Sequence, residues 1–200
     1  MCTSAEPAAG RWTDGESRLR DGATVTLRAL PYDAPLAQYL VEQVQQEYVR
    51  RYGGRDAAVV EPDEFLPPRG VFLVAEVDGV PAGCGAWRAL EPGPDGSRAE
   101  IKRVYVEPDF RRRGLAQLIV AALEVGAAQA GHQWVVLNSG REQPEALALY
   151  ADRGYLPVPG YGVYACAPGA VFLGKQLPAP AQQGVAHAEP EAGEVRPWAS

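Results

Sequence analysis

Val25 and Leu27 alternate with Thr24, Thr26 and Arg28, the period-two pattern of a strand buried on one face. The period then changes. Ala37, Leu40, Val41, Val44 and Tyr48 recur at three- and four-residue spacing, which predicts a helix capped by Asp33 and ended by Gly53 and Gly54. Its polar face carries Glu42, Gln45, Glu47 and Arg50. After a proline-rich loop at Phe65 to Arg69, two apolar runs, Val71 to Val77 and Ala82 to Ala89, flank Asp78-Gly79 and read as an antiparallel hairpin. Gly83 and Gly85 weaken its second arm and leave room for another backbone to come close. Glu91 to Ser97 predicts a turn.

Ala99 to Val106 predicts a fourth strand, ended by Pro108. Leu115, Leu118, Ile119, Ala122, Leu123 and Gly126 then mark one face of a helix that stops near Gly131. Trp134 to Leu137 is an apolar run suited to a buried strand. Pro144 opens a helix with Leu147, Tyr150 and Ala151, which Gly154 closes, and Val171 to Leu173 predicts a last strand. At 200 residues and 46% hydrophobic content the chain suits one domain. That domain is placed at 23–177. Residues 1–22 and 178–200, small and polar with no apolar run, are expected to be disordered tails.

No segment approaches the ~18 apolar residues of a membrane span, and the N-terminus lacks the basic-then-apolar order of a secretory signal, so a cytoplasmic protein is expected. Cys2, Cys84 and Cys166 have no metal-ligand spacing, and their odd number suits a reducing compartment. They read as small apolar residues, and no metal site is predicted. The net charge of -6 argues against a nucleic-acid partner. The charge is uneven, however. Between Lys102 and Arg113 five basic residues meet two acidic ones.

That window holds the candidate chemistry. Val104-Tyr105-Val106 ends a strand, and Arg111-Arg112-Arg113-Gly114-Leu115-Ala116 turns into a helix whose first N–H groups have no internal partner. The helix dipole adds partial positive charge, and the small Gly114 and Ala116 let a phosphate approach the backbone. Alone, the loop predicts only an anion site.

The segment 111–116 resembles the Q/R-x-x-G-x-G/A signature of the GNAT superfamily of N-acetyltransferases, and Ala146 to Tyr155 resembles that family's later A-x-x-L-Y-x-x-x-G-Y/F helix, with the first residue displaced by one. The resemblance runs from about Thr24 to Leu177. It implies an α/β (α+β) fold: a mixed, mostly antiparallel central sheet with helices on both faces and a splay between the fourth and fifth predicted strands. It also implies an acyltransferase that moves an acetyl group from acetyl-CoA, as co-substrate, to an amine. Val104, Tyr105 and Val106 would pair with the pantetheine arm, and Arg111, Arg112, Arg113, Gly114, Leu115 and Ala116 would hold the pyrophosphate. The chain departs from the family at Leu137-Asn138-Ser139-Gly140-Arg141, where many relatives carry an acidic residue and threonine, so no cofactor contact is assigned to Asn138 or Ser139.

In the family, the position of Tyr150 commonly donates a proton to the departing sulfur; packing against Leu147 is its alternative role. Glu100, which strict alternation puts on one face with Lys102, Val104 and Val106, is either a base acting through water or an ion-paired carboxylate. His132 and His187 read as exposed histidines in a turn and in the C-terminal tail. The acceptor, a small-molecule or peptide amine, is expected to meet the end of the first helix, the Glu61 to Arg69 loop or Tyr155 to Pro168. In the loop, Glu61, Asp63 and Glu64 are candidates to attract a cation, and Tyr161 and Tyr164 to wall a pocket. A non-catalytic coenzyme A-binding module is the rival reading. A homodimer is the assembly considered, although nothing in the sequence fixes it.

Overall fold

Strand pairing begins earlier than the alternation at Thr24 implies. The computed structural model of the chain describes residues 15–178. In it Gly15–Arg18 (β1) pairs antiparallel with Thr24–Ala29 (β2), and Leu19 is buried at 5% exposure. Residues 15–22 are therefore part of the domain and not of a tail. Main-chain pairing holds β1 at the sheet edge, so it needs no apolar run. The tail expectations for 1–14 and 179–200, with Cys2 and His187, lie outside the described residues.

Pro35–Tyr52 (α1) starts on proline, whose fixed φ and missing N–H suit a first helical turn. Its cap position is Ala34 and no side chain caps it, which corrects the assignment to Asp33. Gly53 ends it in the left-handed conformation, φ 77°. Gly70–Val77 (β3) and Val80–Gly93 (β4) form the predicted hairpin, with positive φ at both Asp78 and Gly79 as a two-residue primed turn requires. β4 runs on into Gly93 and pairs with Gly96–Val106 (β5), so most of the predicted turn at Glu91 to Ser97 is strand. Leu115–Gln129 (α2), Trp134–Gly140 (β6), Pro144–Asp152 (α3), the short Leu156–Pro157 (β7) and Ala170–Gln176 (β8) follow within the described residues. No helix of the described residues is long and apolar enough to cross a membrane.

The eight strands of the described residues lie in the order β1-β2-β3-β4-β5-β6-β8-β7, and among them β5 and β6 are the one parallel pair. Two apolar layers sandwich this sheet. On one face Leu40 and Val44 of α1 meet Phe72, Val74, Cys84 and Ala86. On the other, Leu115, Ile119 and Leu123 of α2 meet Leu73, Trp87, Ile101 and Val135, with Tyr150 of α3 beside them. Burying each such leucine or isoleucine contributes ~1.5–3 kcal/mol. The room at Gly83 and Gly85 is taken up largely by α2. A Cβ on Gly85 would lie 2.6 Å from Ile119, and one on Gly83 would meet Ile119 at 3.2 Å and the Tyr105 carbonyl at 2.5 Å.

Candidate active site

β5 and β6 pair only at Arg98, Ala99 and Glu100. Beyond Val136, β6 keeps its antiparallel partner β8 and leaves β5, which remains bonded to β4. Ile101 to Val106 thus presents an edge with no strand on the β6 side, and the expected splay is present. A cleft of about 1160 Å³ opens there, larger than the ~300–1,000 Å³ of an ordinary small-ligand site. Its walls are β5 from Ile101 to Val106, the start of α2, the end of β6, the C-terminal turn of α1 and the segment before β8.

A bulge shapes the β5 wall. Cys84 pairs with Tyr105 but Ala86 with Lys102, so Arg103 and Val104 together oppose Gly85, and Arg103 takes φ 58°. The bulge reverses the alternation. Val104 and Val106 pack with the α2 layer, whereas Tyr105 belongs to the α1 layer. Ile101 on the α2 side leaves Glu100 and Lys102 facing α1, so these two do not share a face with Val104 and Val106 as expected. Arg103 is held by a buried ion pair with Asp56, whose carboxylate also accepts the Tyr164 hydroxyl. The Cys84 thiol, itself buried, donates to the Arg103 carbonyl.

At the α2 start Arg112 (φ 63°) and Gly114 (φ 95°) are both left-handed, and the Leu118 N–H is the donor to the Gly114 carbonyl. The first-turn N–H groups are thereby left without helical partners beside the cleft. Arg111, Arg112, Gly114, Leu115 and Ala116 all line it. Arg111 also donates from Nε to the Val106 carbonyl at 2.9 Å and lies 3.4 Å from Glu47. Arg113 does not line the cleft. Its guanidinium turns to Asp21 at 2.6 Å and stacks on Phe110. Eight basic and four acidic side chains line the cleft of this acidic protein, a field that suits a phosphorylated ligand.

Tyr150 stands in the cleft wall at 6% exposure, and burial pushes its phenol well above the ordinary value. It stays protonated at neutral pH. Glu100 is not among the lining residues. Its carboxylate pairs with Arg88 at 2.9 Å and lies 3.6 Å from Lys102, and Arg88 also binds Glu64. Asn138 and Ser139 do line the cleft. Glu61, Asp63 and Glu64 do not; Asp63 pairs with Arg69. Of the two loop tyrosines, Tyr164 lines the cleft and Tyr161 packs on Phe172. His132 is half-buried against Trp87 and bonded to Ser97, not an exposed turn residue.

Lys102 and Arg103 of the basic window and Tyr52 at the end of the first helix also line the cleft, and so do Asp56 and Arg141, to which the sequence reading gave no role. Tyr52 reaches across from α1, its hydroxyl so close to Gly140 that a Cβ there would fall 2.1 Å away. The left-handed Arg103 has no composition signal. Among the described residues no three His, Cys, Asp or Glu side chains are grouped to hold a metal ion.

Residues 36–155 match the family model described as the acetyltransferase (GNAT) family. The chain is 27% identical over 138 residues to an IAA acetyltransferase of Azospirillum brasilense, covering 69% of this chain and 88% of that protein. The GNAT domain of S. lividans PAT has the same fold, with TM-score 0.63 at 20% identity over 82% of this chain and 97% of the other. A GNAT family acetyltransferase from Elizabethkingia anophelis, solved with acetyl-CoA bound, aligns at TM-score 0.53 and 14% identity over 76% of this chain and 98% of its own.

Proposed function

The chain belongs to the acetyltransferase (GNAT) family and is an acyltransferase, and we propose that it moves an acetyl group from acetyl-CoA to a primary amine. The observation that carries this reading is the unpaired β5 edge running into the open N-terminus of α2 inside one cleft. The edge offers main-chain donors and acceptors to an extended amide chain, and the helix start with Arg112 offers donors and charge to a pyrophosphate. Acetyl-CoA, when bound, supplies the activated acyl carbon.

The rest falls to this chain's residues. Backbone N–H groups of the bulged Val104–Val106 segment polarise the acyl oxygen. The nitrogen–carbon bond forms as the carbon–sulfur bond breaks; the sulfur takes the Tyr150 proton, the amine releases one to solvent, and solvent returns one to the phenolate. Tyr150 is suited to this because burial keeps it protonated. Glu100 serves the fold as the partner of Arg88, and no proton transfer is assigned to it.

The test is release of coenzyme A thiol from acetyl-CoA against a panel of amines, with coenzyme A binding measured alongside. Thiol release that depends on an amine supports the reading, binding without turnover favours a coenzyme A-binding module, and no binding overturns both.

A further inference from the structure

We infer that the acceptor amine also carries an anionic group, and that Lys102 receives it at the end of the cleft away from the α2 N-terminus. The inference rests on the acetyl-transfer reading and deepens it.

Lys102 lines the cleft yet is only 9% exposed. Among the described residues its ammonium has one carboxylate within ion-pair distance, Glu100 at 3.6 Å, beyond hydrogen-bond reach. That carboxylate is already bonded to Arg88 at 2.9 Å. The other acidic group near Lys102, Asp56, is committed to Arg103, to the Ala58 N–H and to the Tyr164 hydroxyl. Arg88 and Arg103 add positive charge on the same side, and desolvation holds the lysine below its ordinary pKa. The ammonium is not sealed away but opens on the cleft, and an anion bound there supplies the hydrogen bond that the described residues do not.

The carboxylates of the cleft point the same way. Glu47 is held by Arg50 and Arg51, Asp56 by Arg103 and Glu145 by Arg51. Only the exposed Glu142 has no ion-pair partner among the described residues, so the interior has no free carboxylate for a second ammonium group, as a polyamine would need. The acidic residues of the 61–64 segment are outside the cleft. The exposed Arg141 at its rim adds another cation. Lys102 precedes Val106 by four residues, ~13 Å along a strand, which separates it from the donors at the α2 start. The edge between them is where the acyl group would lie.

The experiment compares kcat/KM with acetyl-CoA across matched acceptors: an α-amino acid, its carboxamide, its decarboxylated amine and the corresponding aminophosphonate. A preference of about ten-fold or more for either anionic member over both neutral ones is expected. The K102M variant abolishes that preference and K102R keeps part of it. Carboxylate and phosphonate arms tell which anion fits. Equal or better use of the neutral amines by the wild-type protein overturns the inference, as does a preference that K102M leaves intact. If none of the four turns over, calorimetric binding of the N-acetylated acid and amide to the coenzyme A complex reads the same preference, and equal binding overturns it. A protein that does not bind coenzyme A at all refutes acetyl transfer itself, which is a separate outcome.

Discussion

Replacing Asp56 with asparagine keeps the side chain's shape and removes its charge, which leaves Arg103 in the core of the β5 bulge with no anion. The side chains of Arg103 and Asp56 are 4% and 9% exposed, so solvent does little to replace the lost partner. Breaking a buried pair from one side costs ~3–5 kcal/mol, and the amide's remaining hydrogen bonds place D56N near ~3 kcal/mol. For a domain of this size that lowers Tm by roughly 6–12 °C. The pH dependence follows from the same contact. Hydrogen bonds from Tyr164 and Ala58 and the Arg103 charge outweigh burial and hold the Asp56 carboxyl below its usual range. A depressed folded-state pKa gives stability that is present above the unfolded value of 3.8 and disappears as pH falls through the folded value. The gap between wild type and D56N is therefore full at about pH 7 and shrinks on acidification below about pH 4. Urea unfolding at a series of pH values measures it directly. A D56N cost under ~1 kcal/mol, or a gap that does not narrow in acid, refutes the assignment of this pair as the anchor of the bulge.

Tyr150→Phe is expected to lower kcat by ~10² with little change in coenzyme A affinity, and an unchanged rate in single-turnover assays removes the phenol from the mechanism. Arg112→Ala raises KM for acetyl-CoA roughly ten-fold, whereas Arg113→Ala, whose partner is Asp21 outside the cleft, changes it by less than about two-fold. Equal effects would mean that Arg113 swings inward. Gly83→Ala drives a Cβ to 2.5 Å from the Tyr105 carbonyl, a backbone atom that cannot rotate away; it should cost ~1–3 kcal/mol and weaken coenzyme A binding, seen in thermal melts and titration. Glu100→Gln strips Arg88 and Lys102 of a shared anion and lowers stability by ~3 kcal/mol while kcat stays within about ten-fold; a fall of ~10² or more with a flattened pH profile would reinstate Glu100 as a base.

The anion loop was legible because its signal is local. Arg112, Gly114 and Ala116 lie within five residues, and the backbone that aims their donors is fixed by the turn and helix start they encode. The Tyr150 helix was legible for the same reason. Arg113 was not, because its partner Asp21 sits in a β1–β2 turn that pattern reading assigned to a tail, and a polar edge strand held by main-chain bonds leaves no apolar period. Glu100 was read with its ion-paired role among the alternatives, but the face given to it and to Lys102 was wrong, for a further reason. Period-two alternation assigns faces only while each residue opposes one partner, and Arg103 at φ 58° breaks that count by putting two β5 residues against Gly85. The break lies in the middle of the unpaired edge. There it turns Val104 and Val106 toward the α2 layer and leaves Lys102 facing α1 and the acceptor end. The side chain proposed to read the acceptor is thus set on the opposite face from Val104 and Val106 by an irregularity whose Arg103 is held by Asp56, 47 residues upstream. A register reading of Ala99 to Val106 alone could not contain it.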